Sequence, residues 1–140
     1  MKLTGLIGTL FLLVVILIIA SCQSNKQLEF NRYYSQGSAI YQAKCQNCHG
    51  SRGEGLRGLI PPLTDSLYLK TNLASIACFV KYGLKGKVII TGRTFEGEML
   101  PNDLASIEIA EVLTYVTNSF GNKMGTLNSA QADTYLEKCR

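Results

Sequence analysis

The chain is poor in several residue types, and each shortage narrows what it can do. Its 140 residues include one histidine, three methionines and three prolines. Any chemistry that needs an imidazole must therefore use His49. Strand-like and helix-like segments do not alternate, which argues against a thioredoxin-like setting for paired cysteines. Cys78 and Cys139 stand singly and far apart, leaving no second close ligand pair for a structural zinc site. No internal repeat or low-complexity tract is present. Charge is scarce too: the net is +4 at pH 7, which gives no support for nucleic-acid binding and little for electrostatic steering.

Against that background the pentapeptide Cys45-Gln46-Asn47-Cys48-His49 stands out. Cys-x-x-Cys-His is the signature of covalent haem attachment. Two thiols three residues apart lie on one helical turn and can add to the two vinyl groups of one porphyrin edge. The next residue, His49, is then brought under the ring, where its imidazole can bind the iron. The motif occurs once, so one covalent haem c is expected, held by Cys45 and Cys48 with His49 on the metal.

A low-spin electron-transfer haem commonly takes a methionine thioether as its second axial ligand. Apart from Met1, the candidates are Met99 and Met124. Met99 is the stronger, because Gly97 before it and Pro101 after it keep the backbone in a loop that can lay a thioether on the ring. Its alternative role is to fill a gap in the core. Between His49 and Met99, four glycines fall within residues 50–58 and Pro61-Pro62-Leu63 follow. Glycines there let the backbone approach a flat ligand. Either proline can present a rigid carbonyl to the second ring nitrogen of His49, or the stretch is an ordinary proline-rich turn.

Together these residues resemble the class I cytochrome c family over about Tyr33 to Gly121. The resemblance implies an all-α, cytochrome c-like bundle of about four short helices wrapped around one covalent haem. It matches Gly37 and Tyr41 to the helix before the haem motif, and Tyr115 to the aromatic of the C-terminal helix that packs on it. The family's Pro-x-Leu falls on Pro61-Pro62-Leu63, implying Pro61 as the carbonyl partner of His49 and Leu63 as a haem contact. Lys85 to Met99 looks like the bacterial single-haem branch associated with alcohol dehydrogenases and oxidases. Leu100 stands where many relatives have proline.

The first residues read as an address. Lys2 precedes the apolar run Leu6 to Ala20, which ends in Ser21-Cys22. That is an export signal, and its end resembles a lipoprotein signal in which Cys22 is lipidated. An uncleaved membrane helix over Leu3 to Ala20 is the alternative. The expected organisation is a signal over 1–21, a polar tether over 22–32 and a cytochrome domain over 33–140. It places the haem domain in a bacterial cell envelope, on the periplasmic or outer side of the cytoplasmic membrane, tethered through Cys22.

Helices are expected over about 33–46, 72–82, 106–120 and 129–138, with no sheet needed. Leu73, Ile76, Ala77 and Val80 form the apolar face of the second, and Ile109, Val112, Leu113 and Val116 that of the third. Cys78 and Cys139 are either a disulfide or, for Cys78, a small core residue. Lys81, Lys85 and Lys87 cluster as a solvated surface or as a ring that meets an acidic partner. Arg52, Arg57 and Tyr68 are candidates to bind haem propionates.

The leading reading is a membrane-tethered electron carrier, not an enzyme, that exchanges electrons with donor and acceptor proteins in a respiratory chain. A permanent haem subunit of an oxidase or dehydrogenase complex is the second reading. A haem enzyme or gas sensor with open iron is the third.

Overall fold

No proline or glycine interrupts the chain between Gly8 and Gly37, so nothing stops a helix that enters this stretch. The computed structural model describes residues 2–139, of which residues 2–6 and 19–24 are described by backbone alone. One helix, α1, runs Lys2–Lys44. The helix expected over 33–46 is thus the end of a longer one, and the expected tether is itself helical. There the Gln27 amide donates to Asn31 Oδ1 at 2.9 Å, one turn on. Polarity without Gly or Pro left the local helix intact across the expected tether. Among the described residues no helix is long and apolar enough to cross a membrane. Met1 lies outside the described residues, and the lipidation expected at Cys22 falls on a side chain that is not described.

After a kink at Cys45 come α2 (Gln46–His49), α3 (Ser66–Thr71) and α4 (Leu73–Tyr82). The last two helices are α5 (Ser106–Val116) and α6 (Ser129–Leu136). The short α3 was not foreseen. It starts because Asp65 accepts the Tyr68 amide at 2.9 Å as an N-cap. Helix α5 ends at Val116, short of the expected limit at Phe120, with the Thr117 amide and hydroxyl both returning to the Leu113 carbonyl at 2.9 and 2.7 Å.

A small two-stranded sheet forms beside the helices, although the expected fold did not need one. Strands β1 (Val88–Ile90) and β2 (Arg93–Phe95) pair antiparallel with Val88 opposite Phe95. Thr91 and Gly92 make the two-residue turn, both with positive φ (49° and 71°). That is the backbone twist tight hairpins favour. The signal was weak because threonine rarely takes a left-handed conformation.

The core is built where α1 crosses α5. A Cβ on Gly37 would lie 1.9 Å from the Glu111 carbonyl oxygen and 2.9 Å from Tyr115 Cβ, so only glycine lets the helices approach this closely. Above the crossing the Tyr41 and Tyr115 rings stand 5.3 Å apart, and Tyr34 lies 5.1 Å from Tyr115. Such aromatic pairs add to the burial they bring. Ile109, Val112, Leu113 and Val116 are buried as the periodicity requires. On α4, Ala77 and Val80 are buried while Leu73 and Ile76 pack against the core partly exposed. Cys78 is disulfide-bonded to Cys139, which fastens the segment after α6 to α4.

Candidate functional site

The Cys45–His49 pentapeptide sits where α1 gives way to α2, and local bonds hold it there. The His49 amide returns to the Cys45 carbonyl at 2.9 Å. The hydroxyl of Tyr41, a fully buried side chain, donates to the Gly50 carbonyl at 2.7 Å. Burial pushes the Tyr41 phenol upward from its ordinary pKa, so it remains a donor at neutral pH. Cys45 and Cys48 form no disulfide, and burial, then the neighbouring Cys48, pushes the Cys45 thiol up to about 11.

His49 Nδ1 lies 3.1 Å from the Pro61 carbonyl oxygen. A carbonyl can only accept, so in the neutral ring Nδ1 carries the hydrogen and Nε2 keeps a free lone pair, as a metal ligand requires. Burial lowers the His49 pKa, and the Pro61 bond opposes that in part. The Pro61 carbonyl is reached by a loop that could not be built with larger residues. Gly55 has φ 66°, and a Cβ there would lie 2.4 Å from the Ile60 oxygen and 2.8 Å from that of Pro61. Its amide donates to the His49 carbonyl at 2.8 Å. The Leu63 amide donates to Gly53 at 2.8 Å, and its carbonyl accepts from the Asn122 amide at 2.8 Å.

Met99 is held by a reciprocal pair of backbone bonds to Leu84, at 2.8 and 2.9 Å. The two segments face one cavity of about 410 Å³. Cys45, Cys48, His49, Pro61, Leu63 and Met99 all line it, with Leu69, Val80, Val112 and Leu113 among its apolar walls. Met124 is not among the lining residues; it packs against the core, its amide bonded to the Thr117 carbonyl at 3.1 Å. The residues fit a covalently held haem. Two thiols stand on one wall, an imidazole with its lone pair free adjoins them, a thioether shares the cavity, and the rest is largely hydrocarbon. Among the described residues, no group of three or more His, Cys, Asp or Glu side chains could hold a bare metal ion.

Several sequence expectations fall differently. Arg52 and Arg57 do not line the cavity, whereas Lys44 and Tyr68 do. The three clustered lysines are not a free positive ring. Lys85 pairs with Glu98 at 3.0 Å and Lys87 with Glu96 at 2.9 Å, while Lys81 lies 3.8 Å from Asp103. The strand pairing that places acids opposite lysines was not visible in the sequence. Sequence reasoning also missed Leu84 and Asn122. Leu84 acts through its backbone amide and carbonyl and Asn122 through its side-chain amide, both far along the chain from their partners, and no local motif announces such pairings.

The family model described as "Cytochrome C oxidase, cbb3-type, subunit III" matches residues 33–133, which takes in every cavity residue named above. No curated protein matches the chain.

Proposed function

The chain belongs to the cbb3-type cytochrome c oxidase subunit III family of cytochrome c domains, and from that premise we propose a membrane-tethered, single-haem electron carrier of a respiratory chain. A haem c, when bound, supplies a one-electron ferrous/ferric couple. Cys45 and Cys48 would hold it by thioether bonds. His49, its ring fixed and made more basic by the Pro61 carbonyl, would offer Nε2 to the iron, and Met99 would offer its thioether. With both residues so engaged the protein would make and break no substrate bonds; its levers would be ligand identity, hydrogen bonding and burial. The observation that carries the reading is the His49–Pro61 bond on the wall of a cavity that Met99 also lines.

The anchoring part rests on the apolar run Leu6 to Ala20 followed by Ser21-Cys22, which supports lipidation at Cys22 and a place on the outer side of a bacterial cytoplasmic membrane. Leu59 and Leu100 are 52% and 70% exposed and still line the cavity. An apolar rim of this kind suits docking to a redox protein, either transiently or as a permanent oxidase subunit. The family's name, that of an oxidase subunit, supports the second arrangement. Detergent extracts run by size would separate the two, because a permanent subunit carries its haem absorbance into a high-mass fraction.

The direct test is the absorption spectrum of oxidised and reduced holoprotein, with carbon monoxide added to the reduced form. A weak red band from sulfur ligation in the ferric state, and no response to carbon monoxide, are expected. Ready carbon monoxide binding without that band would overturn the carrier reading in favour of an open-iron enzyme or sensor.

A further inference from the structure

Two loops that both line the cavity are joined directly. The Glu96 amide donates to the Gly58 carbonyl at 3.1 Å and the Gly97 amide to the Leu59 carbonyl at 2.9 Å. The first loop leads, three residues on, to the His49-binding carbonyl of Pro61. The second leads, two residues on, to Met99. We propose that Gly97 is a positioning residue for the methionine side of the haem iron, acting through this two-bond seam. The proposal rests on the assignment of Met99 as the distal ligand.

The geometry makes Gly97 the critical point of the seam. A Cβ there would stand 2.2 Å from the Leu59 oxygen and 3.0 Å from its carbonyl carbon. Both are backbone atoms and cannot rotate away as a side chain would. Nor can Leu59 retreat freely. Its amide bonds to Leu56 at 3.1 Å, Ile60 pairs with Leu56 in both directions at 2.9 and 2.8 Å, and Pro61 is engaged by His49. Gly97 does not occupy the left-handed region, so alanine is conformationally allowed and its harm comes from the contact alone. The 96–99 segment must therefore give way. Met99 is fixed on its other flank by Leu84, and a Cβ on Gly83 would already meet the Met99 oxygen at 2.5 Å. With no room to slide inward, the segment moves outward and takes the thioether with it. The His49 side, secured by the cysteines and by Pro61, stays in place.

The test compares Gly97→Ala with Gly58→Ala in the full-length holoprotein. Gly58 lies in the same seam with φ 71°, but a Cβ there meets nothing within 4 Å. It therefore strains the loop without wedging the seam apart. Gly97→Ala is expected to keep its covalent haem and helical circular dichroism, lose the red ferric band, bind carbon monoxide when reduced, and show a lower midpoint potential. Gly58→Ala is expected to keep the band and refuse carbon monoxide. The inference is overturned if Gly97→Ala keeps the band, or if both variants lose it alike. A wild-type protein without the band would defeat the Met99 assignment itself, and the seam proposal with it. Should Gly97→Ala fail to accumulate, amide exchange in the wild type decides. The Glu96 and Gly97 amides are expected to open with the loss of the band on warming; free exchange while the band persists would overturn the proposal.

Discussion

At the scale of single residues, the chain's fate turns on a few atoms that are absent. Gly37 marks the closest approach of α1 and α5, and Gly37→Ala would drive a methyl into the Glu111 carbonyl. Overpacking of that kind costs about 1–3 kcal/mol, and a rigid backbone neighbour puts the variant at the upper end, measurable as a lower urea midpoint with unchanged slope. The converse case is Thr91, a β-branched residue at φ 49°. Its hydroxyl donates to Asp65 Oδ2, which offsets part of the conformational cost. Asparagine tolerates this region far better and keeps a donor, so Thr91→Asn should raise stability by up to about 1 kcal/mol. Equal or lower stability would show that the hydroxyl bond outweighs the strain. The ligands themselves make the simplest contrast. His49→Ala should abolish stable haem incorporation, whereas Met99→Ala should retain covalent haem, turn it high-spin and lower its potential.

At the scale of elements, Asp65 ties the start of α3 to the β1–β2 turn. The Thr91 hydroxyl first, and the Tyr68 amide second, hold its carboxyl below the ordinary range. A depressed folded-state pKa means the stabilisation is present above the ordinary carboxylate range and is lost as pH falls through the folded value. Asp65→Ala should thus cost about 1 kcal/mol near neutrality, with the gap to wild type closing in acid; a gap constant with pH would contradict the assignment. The same element shows the limits of local reading. Periodicity revealed α4 and α5 because their apolar faces repeat every three to four residues. It missed α3, whose six residues bury only Leu69, too few for a stripe. The haem motif and Pro61 were legible because their chemistry demands fixed spacing along the chain. Lysine pairing and the Leu84–Met99 bonds were not, since they depend on which strands meet.

For the whole molecule, two long-range ties dominate. The Cys78–Cys139 bond spans 61 residues, and loop-closure entropy assigns such a link about 4 kcal/mol. Cys139→Ser should lower stability by roughly that amount and free α6 from α4, with faster amide exchange across 129–136 as the check. Pairing of the three lysines with acids leaves the surface beside the cavity weakly charged. Electron exchange with a partner should therefore change by less than about threefold between low and high salt, while Leu100→Glu should slow it; a steep salt dependence would contradict the apolar-rim reading. The α1–α5 crossing has a further consequence, one of timing. Gly37 and Glu111 meet only after a loop of 74 residues closes, and closing a flexible loop that long costs about 4 kcal/mol. Local helices form long before such a contact can. Until then Cys45 and Cys48 lie on an open chain, and in the finished fold Cys48 is still exposed and Cys45 half-buried, so the thiols stay within reach of whatever couples them to haem both before and after the helices meet.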